Sequence, residues 1–191
     1  MRLEVLWRQL VGMGAEHLIM NLDGGIHADG LAVGEIESNA YRIHYQINCD
    51  VDWNVMGLKI EDLLSDRVLA LSRTAENRWN DADGTMLDAL EGCIDVDLMF
   101  TPFTNSLPIR RLNLKLGEAR ELAVVYVGLP GLHVSRFRQR YTCLASGDNG
   151  GTYRYQSLES GFTAELKVDA DGLVVDYPHI FVMDARRMLP A

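Results

Sequence analysis

Tyr41-Arg42-Ile43-His44-Tyr45-Gln46-Ile47-Asn48-Cys49-Asp50-Val51 alternates without a break. Tyr41, Ile43, Tyr45, Ile47, Cys49 and Val51 point one way, and Arg42, His44, Gln46, Asn48 and Asp50 the other. A period of two over this length predicts a long β-strand with one dry face and one wet face. Phe162, Ala164, Leu166 and Val168 repeat the pattern against Thr163, Glu165, Lys167 and Asp169. Further strands are predicted at 15–22, 31–37, 66–73, 87–92, 119–127, 133–145, 152–158 and 173–182. Turn chemistry separates them at Gly24-Gly25, Asp29-Gly30, Asp83-Gly84, Gly147 to Gly151 and Asp171-Gly172, where positive φ is tolerated. Helical signal is confined to Glu61–Ser65 and Asn105–Leu112, a turn or two each. The pattern predicts an all-β fold with minor α content, an antiparallel β barrel that is closed or half-open. The expected organisation is one domain over residues 1–191, and whether the apolar face is packed solid or encloses a cavity is left open.

A local echo suggests an internal duplication. Thr74 to Gly84 resembles Thr163 to Gly172, with one extra residue in the first copy, and both read as a strand running into an Asp-Gly turn. The other reading is that hairpins draw on the same few residues.

The chain has 191 residues, enough for one sizeable core and short for two. Its hydrophobic fraction of 48% and charged fraction of 24% are those of a globular protein rather than a disordered one. A formal net charge of -9 disfavours nucleic acid and anionic membrane surfaces as partners. The opening Met1-Arg2-Leu3-Glu4-Val5-Leu6-Trp7-Arg8 is interrupted by charge too often for an export signal, and no apolar run is long enough for a membrane helix. The expected location is therefore cytoplasmic. Cys49, Cys93 and Cys143 are odd in number and widely spaced, which reads as buried free thiols.

The most unusual stretch runs from Gly92 to Leu112. Asp95 and Asp97 are two apart, so on a strand both carboxylates face one side. Such a pair can bind a cation or divide acid and base roles. Two prolines, several hydroxyls and an amide follow, including Thr104 and Asn105, as expected of a shaped loop. Arg110-Arg111 then offers to hold an anionic or hydroxyl-rich head group. In the structural alternative, an aspartate pairs with one arginine and pins the loop to the sheet. Arg136, Arg138 and Arg140 share a strand face opposite Phe137, Gln139 and Tyr141, and reach either solvent and nearby acids or an anionic ligand. Trp53, Trp79, Tyr153, Tyr155 and Tyr177 line a cavity or belong to the core. His17, His27, His44, His133 and His179 have no metal-ligand spacing, so no metal site is expected. There is no nucleophile elbow, P-loop, dinucleotide fingerprint or zinc-protease helix, and no cofactor is expected.

Several blocks, in order, carry a family resemblance. They are Trp7-Arg8, Gly92 to Asp97, Thr101-Pro102-Phe103-Thr104-Asn105-Ser106-Leu107-Pro108-Ile109-Arg110-Arg111-Leu112, Gln139-Arg140-Tyr141-Thr142, Tyr153-Arg154-Tyr155 and Asp169 to Pro178. On these the chain resembles the bacterial family described as putative glycolipid-binding, a domain of unknown function. The resemblance implies a fold like that of periplasmic lipoprotein carriers, which hold acyl chains inside an open β barrel. It implies no catalytic residues. The ligand-binding candidates that match its distinctive blocks are Asp95, Asp97, Thr104, Asn105, Arg110, Arg111, Gln139, Arg140 and Tyr177.

Three functions compete on these grounds. The first is a binding module with acyl chains on the apolar concave face and Arg110, Arg111 or Arg140 at the head group. The second is an enzyme acting on a small polar or isoprenoid-like substrate, with Asp95 or Asp97 as acid or base and Arg110 and Arg111 as the anion clamp. The third is an interaction protein with a solid core. The ligand and the oligomeric state are left open.

Overall fold

The computed structural model describes residues 1–36 and 38–190. Residues 37 and 191, the ends of the predicted 31–37 strand and of the predicted domain, lie outside the described residues. Among the described residues fourteen strands form one sheet. In chain order they are β1 (Arg2–Gln9), β2 (Gly14–Asn21), β3 (Ile26–Ile36), β4 (Asn39–Cys49), β5 (Val55–Asp62), β6 (Arg67–Arg73) and β7 (Trp79–Asn80). After these come β8 (Asp95–Leu98), the helix α1 (Phe103–Leu112), β9 (Ala119–Gly128), β10 (His133–Gly147), β11 (Gly150–Ser157), β12 (Thr163–Val168), β13 (Val174–Tyr177) and β14 (Phe181–Leu189). Sheet order is β7-β6-β5-β4-β3-β2-β1-β14-β13-β12-β11-β10-β9-β8. Every neighbour is antiparallel except β8 and β9.

The alternation at 41–51 predicted β4 correctly: Tyr41, Ile43, Tyr45, Ile47 and Cys49 are buried and Val51 has passed into a turn. Of the closed or half-open barrel expected, the closed form is not what the ladder makes. The ladder has two ends, β7 and β8, which do not pair. β7 has only two residues and β8 four, too few to zip together across the intervening segment. The sheet nevertheless curls: Ile60 and Leu71 of the first end share one apolar core with Val96 and Val125 of the second. Trp79 Nε1 donates to the Cys93 carbonyl at 2.9 Å, a side-chain link where ladder bonds are missing.

Other expectations are corrected with clear causes. Asp29-Gly30 is not a turn but the middle of β3, where Gly30 pairs with Tyr45. A Cβ on Gly30 would lie 2.3 Å from the Tyr45 ring, so glycine is needed there for the ring to lie across the strand. The predicted helical turn at Glu61–Ser65 is the end of β5 and the turn after it. The predicted strand at 87–92 is a single 3₁₀ turn, Asp88–Leu90. The predicted strand at 173–182 is two strands, because Pro178 and His179, the latter at φ 66°, turn the chain between β13 and β14.

Three hairpin loops share one hydrogen-bond pattern. In each, an aspartate Oδ1 accepts from the amides two and four residues on: Asp50 from Asp52 and Asn54, Asp81 from Asp83 and Thr85, Asp169 from Asp171 and Leu173. The fourth residue of each is left-handed, Trp53 at φ 67°, Gly84 at 80° and Gly172 at 75°. The Asp50 loop lies outside the sequence echo. The shared turn is therefore a property of this Asp-led pattern, and gives no support to a duplication.

Candidate functional site

A parallel β8–β9 pair requires a crossover, and α1 supplies it. The helix lies within the curl of the sheet, packed against β8 and β13, with every residue from Phe103 to Ile109 buried. Thr101 Oγ1 accepts the Phe103 amide at its start, and Asn113 closes it in the left-handed region. Asp95 and Asp97 alternate with Val96 and Leu98, which join the main apolar core. Asp95, with no exposed surface, accepts two hydrogen bonds from Arg111, at 3.1 and 2.6 Å. This buried fork pins α1 to β8.

Asp97 has a different role available. Its Oδ2 accepts from Gln139 Nε2, which also donates to the Tyr155 hydroxyl at 3.2 Å. Tyr141 donates to Gln139 Oε1, and Asn105 Nδ2 donates to Tyr141 at 2.9 Å. Burial pushes the Asp97 carboxyl up to about 6, against the downward pull of its hydrogen bonds from Gln139 and Thr104. The carboxyl opens onto a cavity of about 270 Å³ lined with Tyr126, Phe137, Gln139, Tyr155, Ser157, Ser160 and Phe162. A second hollow of about 160 Å³ adjoins it through Asp97, Tyr126 and Tyr155, and adds Thr101, Asn105 and Tyr177. The rings pack on one another: Tyr126 meets Phe137 edge-on at 4.5 Å, and Tyr177 lies 6.4 Å from both Tyr155 and Phe162. Such a pocket offers hydrogen-bonding groups at its floor and flat apolar walls.

A family model described as "Putative glycolipid-binding" matches residues 4–183. The chain belongs to this family. The crystal structure of a DUF1089 family protein from Pseudomonas aeruginosa is similar over 88% of this chain and 91% of that chain, at 35% identity and a TM-score of 0.77. No curated protein matches the chain.

In this family member, the nine candidate residues do not form one cluster. Asp97, Asn105, Gln139 and Tyr177 line the pocket or its adjoining hollow, and buried Thr104 hydrogen-bonds to Asp97 behind them. Asp95 and Arg111 form the ion pair beside it, as in the structural alternative read from the sequence. Arg110, next to Arg111 in the last turn of α1, turns away from it, its guanidinium 5.1 Å from the Trp53 ring centroid. Arg140 faces outward and pairs with Glu121. Its row-mate Arg138 pairs with Glu159, so this stretch of the row is laced to acids. Of the aromatic candidates, Tyr155 and Tyr177 reach the pocket, while Trp79 is core. Sequence reading missed Tyr126, Ser157 and Ser160 as pocket residues. It placed Phe137 on the Gln139 face, the one signal that leads into the site. Among the described residues no cluster of three or more His, Cys, Asp and Glu side chains can hold a metal ion, and no helix is long and apolar enough to cross a membrane.

Proposed function

We propose that this chain binds a glycolipid-like amphiphile whose hydroxyl-rich head group enters the Asp97 pocket. The observation that carries this is the composition of the pocket and its adjoining hollow: one carboxyl, two side-chain amides and tyrosine hydroxyls between aromatic walls. A sugar ring has hydroxyls that donate to a carboxylate and CH faces that lie against aromatic rings. The cavity volume is near the lower end of the roughly 300–1,000 Å³ usual for small-molecule sites, which suits a head group better than a long chain. With α1 filling the curl, an acyl tail is expected to leave by the mouth, where Phe162 is 42% exposed.

Asp97 with a raised pKa in a pocket also favours a second reading, general acid–base chemistry on a small substrate. Glycoside hydrolysis ordinarily needs a pair of carboxylates, and Asp97 is the one carboxyl in the pocket lining. Binding is therefore the stronger reading.

Native mass spectrometry of the freshly purified protein, then with octyl glucoside below its micelle concentration, tests the proposal. Wild type is expected to retain a glycosylated amphiphile or take up one octyl glucoside. Asp97→Asn, which keeps shape and loses charge, is expected to bind about tenfold more weakly, the loss expected for one charge-assisted hydrogen bond. Equal uptake by the two proteins sinks the proposal. Release of free sugar during incubation supports the catalytic reading instead.

A further inference from the structure

Two of the three equivalent Asp-led loops place glycine at their left-handed position, and the third places Trp53 there. A bulky residue with a Cβ is a genuine outlier in that region. An outlier of this kind asks what its side chain does. The Trp53 ring lies under Arg110 at the C-terminal end of α1. On its other side Arg110 runs across Gly172, the left-handed residue of the Asp169 loop, where a Cβ would come within 2.4 Å of Arg110 Cδ. Arg110 is thus held between two loops of the same design. Among the described residues it makes no ion pair.

Trp53 and Arg110 border a cavity of about 330 Å³ that shares no lining residue with the Asp97 pocket. Leu3, Met20 and Leu173 are buried in its wall, and Leu22 is partly buried. Met1 and Met188, both largely exposed, border it too. The other charged groups beside it already form ion pairs with one another. Arg186 pairs with Asp169 and Asp171, and the N-terminal amine pairs with Asp23. What remains is an apolar hollow with one cation that has no ion-pair partner, Arg110, at its edge.

We propose that this hollow is a second ligand site, separate from the Asp97 pocket, for a free single-chain amphiphile with a carboxylate head. The chain lies among Leu3, Met20, Leu22 and Leu173, and the carboxylate meets Arg110. A strained tryptophan is kept because its ring both walls the hollow and fixes the guanidinium. The volume admits a short chain, so octanoate is the probe and 1-octanol its uncharged control.

Calorimetric titration decides it. Wild type is expected to bind octanoate saturably below about 1 mM and at least about tenfold more tightly than 1-octanol. Arg110→Gln is expected to bring octanoate down to the alcohol's affinity while leaving uptake of octyl glucoside unchanged. Trp53→Gly, which relieves the backbone, is expected to weaken both octanoate and 1-octanol. Arg110→Gln is a surface change, so the test stands even where Trp53→Gly fails to fold. No saturable octanoate binding, equal binding of acid and alcohol to wild type, or unchanged octanoate affinity in Arg110→Gln each overturns the proposal. Loss of octyl glucoside uptake in Asp97→Asn with octanoate binding intact bears on the first site alone.

Discussion

Asp97 and Glu16 are carboxyls that the fold holds away from water. Asp97 has its pKa pushed up to about 6 by burial, and Glu16 to about 7 for the same reason. Glu16 accepts from Tyr45 through Oε1, while Oε2 is buried without a partner. For Asp97 the sign follows from which state holds the proton. Between its ordinary value of 3.8 and about 6, the folded chain keeps a proton that the unfolded chain has lost. Stability therefore falls as pH rises through that window, by about 1.4 kcal/mol per unit, and stays low above it. Asp97→Asn abolishes this slope and keeps the acceptor for Gln139. It is expected to be more stable than wild type at pH 8 by about 3 kcal/mol, and equal to it below pH 4. Urea unfolding across that range measures the difference. A wild-type slope that persists in the variant shows that another group, Glu16 first, is responsible.

The helix is the element least legible in the sequence. A surface helix declares itself by a polar outer face, and α1 has none over Phe103 to Ile109, where every residue is buried. Thr104, Asn105 and Ser106 break the apolar period, and Pro108 removes a backbone donor within it. Hence the sequence predicts only a turn or two at Asn105–Leu112. The polar residues find their partners on strands, one close in sequence and one far. Thr104 Oγ1 accepts the Leu98 amide at 3.2 Å, and Ser106 Oγ accepts the Val174 amide at 3.1 Å. The Val174 carbonyl in turn accepts from Trp7 Nε1 at 2.7 Å, so one residue of β13 is tied both to α1 and to β1. Ser106→Ala leaves the Val174 amide buried and unpaired. It is expected to cost about 2 kcal/mol, against about zero for exposed Ser135→Ala, in chemical denaturation. Equal, small losses for both would mean that the helix is held by apolar contact alone. The Asp95–Arg111 pair was legible as a pair of residue types, but not its direction. Sequence spacing put two acids on one face, and only packing decided that Arg111 turns to Asp95 while Arg110 turns away.

At the scale of the molecule, period-two alternation revealed the sheet, and the ends of the sheet were beyond its reach. Strands such as β4, with one buried and one wet face, announce themselves. β1 and β5 did not, because Leu3, Val5 and Trp7 alternate with Glu4 and Leu6, and Gly57 interrupts β5. Whether fourteen strands close is settled by the last two residues of β7 and the four of β8, where no alternation can be counted. Trp79 stands at that seam, 1% exposed, with its Nε1 on the Cys93 carbonyl. Trp79→Phe keeps most of the apolar bulk and removes the link, leaving a carbonyl unpaired. The expected loss is about 2 kcal/mol. Its distribution is the sharper test. An open seam frays locally, so amides of β6 and β7 are expected to exchange faster in the variant while those of β3 and β4 keep their protection. Uniform acceleration throughout the sheet would instead mean that the two ends open only when the whole curl unfolds. In that case Trp79 would close the fold in energy even though no ladder closes it in hydrogen bonds.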